Sequence, residues 1–559
     1  MEEFKQHPHT MYGIIEKWAK ETPDKVALII ANTGKKYTYE ELRNEIIILS
    51  YKLYNMGFRK GDIITTSLLF LDTHIILAFA CAKLGVIWCP FDVRLKPPEI
   101  MRNLGQLKEK TKMYCHLGKT IYANFGMIGS AVQKNNPWLD YVVQFSDPDD
   151  RYRKGITPAY KIFQEAKKEY EEAKNTPEQL RNFEEECEKV GENNPAIIIF
   201  TTGSTGYPKA ALLPNAGLAC HSMCLSKALE ANASDRMLVN LPPSHVGGTT
   251  EQLLTPLFGG ATAIVLHLYD PQLSLEAIQK YKATLIGQIP AMYKMEWNLP
   301  DYDQYDLSSL KCAIYAGQQG DRPLAEGMRE MAGKIATGYG TTENCGFITY
   351  SKVDAPIDEI LSSIGFDLPI SPVTIRKPMN SDGTAGEELP DGEIGEICIG
   401  GPQVFLGYFG DEETTKKTIS KDGILYTGDM GFKDELGVHL SGRRKFLIKP
   451  KGYQVFPPEV EAHISELPEV EYIGIVGANH KIFTEGIVAY IKVREGMTLS
   501  KEKIMEHCKE IAAYKRPSLI VFLDEFPLNR VAKTDYLVLR ERVEEDIEQA
   551  RQNGGWDTV

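Results

Sequence analysis

The sequence lacks the cysteine patterns that indicate disulfides or zinc sites. Its ten cysteines include no C-x-x-C pair and follow no regular spacing. Disulfide frameworks of secreted domains and zinc ribbons depend on such patterns. We therefore expect reduced thiols buried in the core.

An excess of positive charge and a long hydrophobic run are also missing. The formal net charge is −13, whereas nucleic-acid binding needs clustered Lys and Arg. The most apolar stretch, residues 75–90, contains Lys83 and Gly85 and is too short for a membrane span. The first ten residues lack the basic segment and apolar run of a secretory signal. These features predict a cytoplasmic protein that binds no nucleic acid and has no integral membrane segment.

The sequence does contain a regular alternation of strand and helix patterns. From Ala196 onward, short apolar runs alternate with amphipathic helical segments, as in parallel sheets covered by helices. Residues 161–190 are rich in Lys and Glu and predict a surface hairpin of two helices, the second capped by Thr176 and starting with Pro177. Near Ser441 the alternation of strand and helix patterns stops, and the pattern of a compact α+β unit follows. A chain of 559 residues exceeds one core, so we predict an α/β protein with domains 1–441 and 442–559.

A loop rich in glycine and hydroxyl groups follows the strand pattern AIIIF. Backbone N–H groups, hydroxyls and a lysine in such a loop can surround phosphate oxygens. A Walker A loop would need Gly-Lys followed by Ser or Thr, but Pro208 precedes Lys209 and Ala210 follows it. We therefore predict a different phosphate-binding loop, with candidate ATP-binding residues Thr201, Thr202, Gly203, Ser204, Thr205, Gly206 and Lys209.

This loop resembles the signature of the acyl-adenylate-forming superfamily, which includes acyl-CoA synthetases, the adenylation domains of peptide synthetases and beetle luciferases. Further motifs of the family follow in the expected order, from Tyr37-Thr38-Tyr39-Glu40-Glu41-Leu42 to Lys533. The resemblance implies a large N-terminal domain of parallel-rich sheets flanked by helices, with a small β-barrel-like subdomain. It also implies a small, mobile α+β C-terminal domain.

The resemblance assigns nucleotide-binding roles to residues of three motifs. Tyr339 would flank adenine, Thr342 would touch the α-phosphate and Glu343 would hold Mg²⁺, for which a carboxylate is a suitable ligand. Asp429 would accept hydrogen bonds from both ribose hydroxyls. Further ATP contacts would come from Gly317, Gln318, Gln319 and Arg443.

The C-terminal motifs resemble the hinge and the catalytic loop of the family. Lys445 would be the hinge, and Lys533 the catalytic lysine that stabilises charge in the transition state. The sequence departs from the family at Ala532, where glycine is usual, and in the preceding Arg530-Val531. Contacts to CoA would come from Lys449, Lys451, Gly452 and Tyr453.

The acyl group would bind near the segment that begins at Leu241. The resemblance places His245 near the carboxylate, with pocket residues Gly247, Gly248, Thr249, Gly317 and Gly340. No anion stands at Ser244-His245, where amino-acid-activating relatives have an aspartate, so an α-amino acid is disfavoured. Gly340 occupies the position of a tryptophan in acetate-specific relatives. We therefore expect an acid larger than acetate: medium-chain, branched, alicyclic or aromatic.

The function implied is that of an AMP-forming carboxylic acid:CoA ligase that uses ATP, Mg²⁺ and coenzyme A, as a monomer or homodimer. One alternative is an adenylating enzyme that loads a carrier protein or oxidises its adenylate. A second is a nucleotide-binding regulator that has lost turnover, supported by Ala532 alone. The failed Walker pattern opposes a third, a P-loop phosphotransferase.

Overall fold

The computed structural model describes residues 2–120, 124–201, 208–317, 320–443, 446–448, 450, 455–481, 484–529 and 533–556. Their strands and helices confirm the predicted α/β class, with a large N-terminal and a small C-terminal part. All ten cysteines are free, and all except Cys187 are buried. Over these same ranges, no helix is both long enough and apolar enough to cross a membrane.

The strands are mostly short, apolar and buried. In chain order they are β1 (Val26–Ile30), β2 (Lys36–Thr38), β3 (Ile63–Ser67), β4 (Ile87–Pro90), β5 (Thr111–Leu117), β6 (Tyr141–Phe145), β7 (Thr157–Pro158), β8 (Pro195–Phe200), β9 (Ala210–Pro214), β10 (Arg236–Val239), β11 (Thr262–Val265), β12 (Leu285–Gln288), β13 (Cys312–Tyr315), β14 (Lys334–Thr341), β15 (Gly346–Tyr350), β16 (Phe366–Asp367), β17 (Val373–Arg376), β18 (Gly395–Ile399), β19 (Leu425–Asp434), β20 (Gly437–Arg443), β21 (Val470–His480), β22 (Thr484–Val493) and β23 (Leu519–Phe522).

The helices connect these strands. They are α1 (Glu2–Lys5), α2 (Met11–Glu21), α3 (Tyr39–Asn55), α4 (Asp72–Leu84), α5 (Pro97–Gln106), α6 (Phe125–Asn135), α7 (Ala159–Ala173), α8 (Pro177–Cys187), α9 (Asn215–Ala228), α10 (Thr255–Phe258), α11 (Pro271–Tyr281), α12 (Pro290–Trp297), α13 (Arg322–Ala332), α14 (Ile357–Ser362), α15 (Glu412–Thr418), α16 (Pro457–Ser465), α17 (Lys501–His507) and α18 (Tyr536–Gln552). A π-helix, Gly247–Leu254, precedes α10.

Two large sheets form the main body. One has the strand order β7-β6-β5-β3-β4-β8-β9 and the other β16-β15-β14-β13-β12-β10-β11-β1-β2. Pairing inside both sheets is parallel, and antiparallel strands lie at their edges. Parallel strands are covered on both faces and are therefore apolar along their length. The carboxyl ends of β10, β12, β13 and β14 consequently share one edge of the nine-stranded sheet, where ligands bind in folds of this type.

Two smaller sheets complete the structure. The strands β17-β18-β19-β20 form an antiparallel meander, and β21-β22-β23 form the sheet of the C-terminal α+β unit. The predicted surface hairpin corresponds to α7 and α8, and Pro177 is the first residue of α8 as expected. The side chain of Thr176 accepts no capping hydrogen bond. The helix begins where the prediction placed it, but the predicted capping hydrogen bond of the Thr176 side chain is wrong.

Helix α9 joins the two large sheets. It contacts β9 of one sheet and β15 of the other, and its residues from Asn215 to Ser226 are all buried. A helix buried all round is apolar all round, yet α9 contains His221. Neither ring nitrogen of His221 has a hydrogen-bond partner within the part of the chain that the structure describes, and burial lowers the pKa of His221 to about 3.

The buried His221 ring predicts a pH-dependent stability that leucine would remove. The pKa of an unfolded histidine is about 6.5. Below that pH the unfolded chain binds a proton that the folded chain does not bind, so the free energy of unfolding decreases as the pH is lowered. In His221→Leu this loss is absent. The free energy of unfolding of the variant minus that of wild type should be about 2 kcal/mol larger at pH 5 than at pH 7.5. Calorimetric unfolding at the two pH values measures it. An equal difference at both pH values would contradict the account.

Candidate active site

The predicted site residues of the large domain follow the carboxyl ends of neighbouring strands. His245 lies in the segment after β10, and Gly317 follows β13. Tyr339 lies near the end of β14, and Thr342 and Glu343 belong to a short 3-10 helix directly after it. The parallel register of β12, β13 and β14 places these segments at one edge of the sheet. The motifs found separately in the sequence therefore surround one region.

The two residues predicted to flank adenine and ribose are in direct contact. The Tyr339 hydroxyl donates a hydrogen bond to the carboxylate of Asp429. Asp429 belongs to β19, and its side chain is buried. Arg443 lies opposite Asp429 in the register of β19 and β20, but the side chain of Arg443 lies outside the described residues. The contact joins the nine-stranded sheet to the small antiparallel sheet at the nucleotide side of the site.

Tyr408 connects two predicted phosphate-site residues and was missed by the sequence analysis. Its hydroxyl donates to Oε1 of Glu343 at 2.7 Å, and the Lys209 ammonium lies 5.1 Å from the centre of its ring. Burial and the Glu343 charge both raise the pKa of Tyr408 far above its ordinary value, so the hydroxyl keeps its proton. The N–H of Phe409 donates to the carbonyl oxygen of Ala210 at 2.8 Å, which holds this segment beside β9. In the sequence, the aromatic run around Tyr408 was the only feature that could have drawn attention to this residue.

The phosphate loop connects β8 to β9. Its described ends are closed by a hydrogen bond of 2.9 Å from the Thr201 N–H to the Lys209 carbonyl oxygen. Thr201 is buried, whereas Lys209 is half-buried. The loop between them, with Thr202, Gly203, Ser204, Thr205 and Gly206, lies outside the described residues.

His245 is a neutral imidazole. It lies in one region with Gly317 and Lys533, which we name the recess. The Gly247 N–H donates to its Nδ1 at 3.0 Å, so Nδ1 is the acceptor and Nε2 carries the proton. The pKa of His245 is lowered to about 4, mainly because burial disfavours the charged ring and also because the Lys533 charge is near. The residue has many protein atoms around it, yet it is exposed. At neutral pH it can therefore donate a hydrogen bond through Nε2 without carrying charge.

Lys533 reaches this recess from the C-terminal part of the chain. Its ammonium donates a hydrogen bond to the carbonyl oxygen of Gly317. Gly317 has a φ of +82°, a conformation that favours glycine. Asn529 holds the lysine from both sides, since its Oδ1 accepts from the Lys533 N–H at 3.1 Å and its own N–H donates to the Lys533 carbonyl at 2.7 Å. Ala532 itself lies outside the described residues.

Two of the predicted pocket glycines are explained by backbone packing. A Cβ on Gly248 would lie 2.3 Å from the carbonyl oxygen of Pro242, and one on Gly340 would lie 1.8 Å from that of Gly346. Both distances are too short for any side chain. Glycine at these positions permits a close approach of two backbones, so Gly340 is no measure of the size of the acyl pocket.

Thr249 also has a structural contact. Its hydroxyl donates to the carbonyl oxygen of His245 at 3.0 Å, and the residue is buried. This hydrogen bond fixes the start of the π-helix behind His245. The other predicted residues without a described position are Gln318, Gln319, Lys445, Lys449, Lys451, Gly452 and Tyr453.

Glu343 is chemically suited to hold Mg²⁺. Its carboxylate is a hard oxygen ligand and is half-buried. Tyr408 donates to Oε1, whereas Oε2 has no hydrogen-bond donor among the described residues. One oxygen is thus oriented by the protein and the other remains available to a cation.

Comparison with known proteins identifies the family. Residues 15–409 match the sequence model of a family described as AMP-binding enzyme, and residues 459–533 match that of the AMP-binding enzyme C-terminal domain. The indoleacetate–CoA ligase of Aromatoleum aromaticum is 32% identical over 352 residues, which cover 62% of this chain and 68% of that protein. The mitochondrial medium-chain acyl-CoA ligase ACSF2 of Danio rerio is 27% identical over 555 residues, covering 94% of this chain and 87% of its own.

A solved structure shows the same fold. The crystal structure of ATP-bound MatB from Rhodopseudomonas palustris superposes with a TM-score of 0.78 at 23% identity, covering 95% of this chain and 98% of the other. The fold extends over nearly the whole length of both chains, and the first family match alone includes Lys209, His245 and Glu343. On these grounds the chain belongs to the AMP-binding enzyme family.

Proposed function

We propose that this member of the family is an AMP-forming carboxylic acid:CoA ligase. The observation that supports this most strongly is the position of Lys533, whose ammonium lies at Gly317 and near His245, at the sheet edge where Glu343 follows β14. A cation is thus held where a carboxylate and the α-phosphate of ATP would have to meet. The names of two relatives, an indoleacetate–CoA ligase and a medium-chain acyl-CoA ligase, support CoA as the acceptor.

The first step would join the acid to AMP. A carboxylate oxygen attacks the α-phosphorus of ATP, the bond from that phosphorus to the bridging oxygen breaks, and pyrophosphate leaves. Lys533 offsets the negative charge that collects between the carboxylate and the phosphate, and preorganised charge of this kind usually contributes more to catalysis than any other single effect. The Nε2–H of His245 can orient the carboxylate. Asp429 and Tyr339 hold the nucleoside, and Lys209 lies on the pyrophosphate side.

The carboxylate of Glu343 would hold a magnesium ion. A bound ion would supply positive charge that offsets part of the charge of the phosphates. Tyr408 orients one oxygen of Glu343 through its hydrogen bond.

The second step would transfer the acyl group to CoA. The thiol attacks the acyl carbon, its proton is lost to solvent, and AMP leaves with the oxygen that came from the acid. Lys533 occupies the space near the acyl carbon, so the thiol needs a route that this arrangement does not leave open. We place a hinge at Lys445 and assign residues 442–559 to a domain that rotates, withdrawing Lys533 and bringing Gly452 to the site.

The proposed acid is larger than acetate. Because backbone packing explains Gly340, the support for a larger acid is the names of the two relatives, one for indoleacetate and one for medium-chain acids.

The proposed location is the cytoplasm, supported by ten free cysteines, although one relative is named as mitochondrial. A monomer or homodimer remains our expectation for the assembly.

The proposal is tested with ATP, Mg²⁺ and a panel of acids from acetate to long-chain and aromatic acids. Pyrophosphate and AMP are quantified with and without CoA, and the thioester is identified by mass. Pyrophosphate release with a CoA-dependent thioester supports the ligase. Formation of ADP would refute adenylation. Pyrophosphate release without any thioester would instead support an enzyme with another acceptor, such as a carrier protein.

Replacing Lys533 by alanine should remove most of the adenylation activity. Loss of a preorganised charge at the transition state lowers kcat by about 100-fold to 1,000-fold. Thioester formation from supplied acyl-adenylate should fall much less, because Lys533 is withdrawn for that step. Both half-reactions are measured separately. Lys501→Ala, an exposed lysine of the same C-terminal unit, serves as the matched control, and an equal loss of both half-reactions in Lys533→Ala would contradict the assigned role.

Replacing Tyr408 by phenylalanine should weaken the response to Mg²⁺. The ring that faces Lys209 stays, but the hydrogen bond that orients Glu343 is lost. Removing such an outer partner of a ligand typically costs about 10-fold to 100-fold in metal affinity, so a Mg²⁺ titration of pyrophosphate release should shift to higher concentration. Tyr305→Phe, which loses a surface hydrogen bond to Asp301, should leave the titration unchanged. An unshifted titration in Tyr408→Phe would remove Tyr408 from the site.

A further inference from the structure

Glu251 places a carboxyl group in the same recess as His245. It belongs to the π-helix Gly247–Leu254, and such segments are often found at functional sites. The Oε2 atom of Glu251 lies 3.6 Å from the point that a Cβ on Gly247 would occupy, and Nδ1 of His245 lies 3.1 Å from that same point. The Glu251 carboxyl and the His245 imidazole therefore both border the space beside Gly247 that a side chain would fill.

The polar neighbours of Glu251 in this helix already have partners. Thr249 donates to the His245 carbonyl, and Thr250 donates to the carbonyls of Val246 and Cys345. Gln252 accepts from the backbone N–H groups of Asn240 and Leu241. These bonds fix the helix on both sides of Glu251.

Glu251 itself makes no hydrogen bond or ion pair with any residue that the structure describes. The side chain is nevertheless half-buried, and its surroundings raise the pKa of the carboxyl to about 8. The same burial acts on Glu296, but there Gln288 donates a hydrogen bond at 2.9 Å to the carboxylate. Glu251 thus differs from Glu296, because it has no partner among the described residues and its half-buried side chain stays open to water or a ligand.

An unpaired carboxyl in a binding recess affects which ligands can bind. A buried polar group without a partner costs about 1–3 kcal/mol, and a purely hydrocarbon acyl chain would leave Glu251 in that state. With its raised pKa the Glu251 carboxyl keeps its proton at neutral pH, so its O–H can donate and its carbonyl oxygen can accept. An acyl group with an amine, hydroxyl or ring N–H would donate to that oxygen. Sites built to hydrogen-bond a substrate OH or NH reject the analogue that lacks it far more strongly than an apolar pocket rejects an extra methylene.

We propose that Glu251 is a specificity-determining residue that selects acids whose acyl part has a hydrogen-bond donor, such as an amine, a hydroxyl or a ring N–H. The inference rests on the proposed ligase function and names the substrate class for the same site. It also qualifies the expectation drawn from Ser244 and His245. No anion stands at those two positions, but the segment contains a carboxyl further along, where it would meet a donor on the side chain of the acid.

The test compares pairs of acids that differ only by a donor group and a methyl group. The ortho-, meta- and para-aminobenzoates are compared with the corresponding methylbenzoates, and β-hydroxybutyrate with isovalerate. The isomers vary the position of the donor. We expect wild type to prefer the donor-bearing acid of at least one pair by about 10-fold to 100-fold in kcat/KM, the effect of one unpaired buried group.

Two variants of Glu251 then separate hydrogen bonding from packing. Glu251→Leu should abolish or reverse the preference, and Glu251→Gln, which can still hydrogen-bond, should keep part of it. Glu326→Leu, an exposed glutamate on α13, is the control, and calorimetric unfolding checks that each variant is folded. A preference for the methyl-bearing acid in every pair, or a preference that Glu251→Leu leaves unchanged, would overturn the inference while the ligase function stays intact. Failure of all acids to release pyrophosphate would refute the ligase proposal, and with it this inference.

Discussion

The contact between the Lys533 ammonium and the carbonyl oxygen of Gly317 is the interaction on which the site depends. It joins a residue near the end of the chain to the edge of the nine-stranded sheet, more than 200 residues earlier. Through this contact a cation lies in the recess beside the neutral His245. A carboxylate entering that recess meets a positive charge and a hydrogen-bond donor, whereas the thiol of CoA would meet an obstruction. A two-step reaction in this site therefore requires a change of arrangement between the steps.

The remaining contacts join groups from different sheets near the carboxyl end of β14. Tyr339 and Asp429 join the large sheet to the small antiparallel meander. Tyr408 lies between Glu343 and Lys209, so the predicted magnesium ligand and the phosphate-loop lysine share one aromatic neighbour. The site is therefore assembled from backbone segments that are far apart in sequence. Each segment is oriented by a hydrogen bond to another segment, which fixes the positions of the charged groups before substrates bind.

Much of this could be predicted from the sequence, because the alternation of strands and helices and the ordered motifs are local patterns. The role of Tyr408 could not be predicted, because the aromatic run around it indicates no partner, and only the pairing of its segment with β9 brings it to Glu343. The reason for Gly340 was also hidden, because the direction of its missing Cβ depends on the register between β14 and β15, which shifts at that residue. Glu251 looked ordinary in sequence, and its lack of a partner becomes visible only in three dimensions.

The central claim is that a carboxylate oxygen of the acid attacks the α-phosphorus of ATP. The most direct test uses an acid that the enzyme turns over, labelled with ¹⁸O in both carboxylate oxygens, with ATP, Mg²⁺ and CoA. Mass spectrometry of the products locates the label. We predict that one ¹⁸O atom appears in the phosphate of AMP and none in pyrophosphate. Unlabelled AMP, or label in inorganic phosphate released with ADP, would contradict the account.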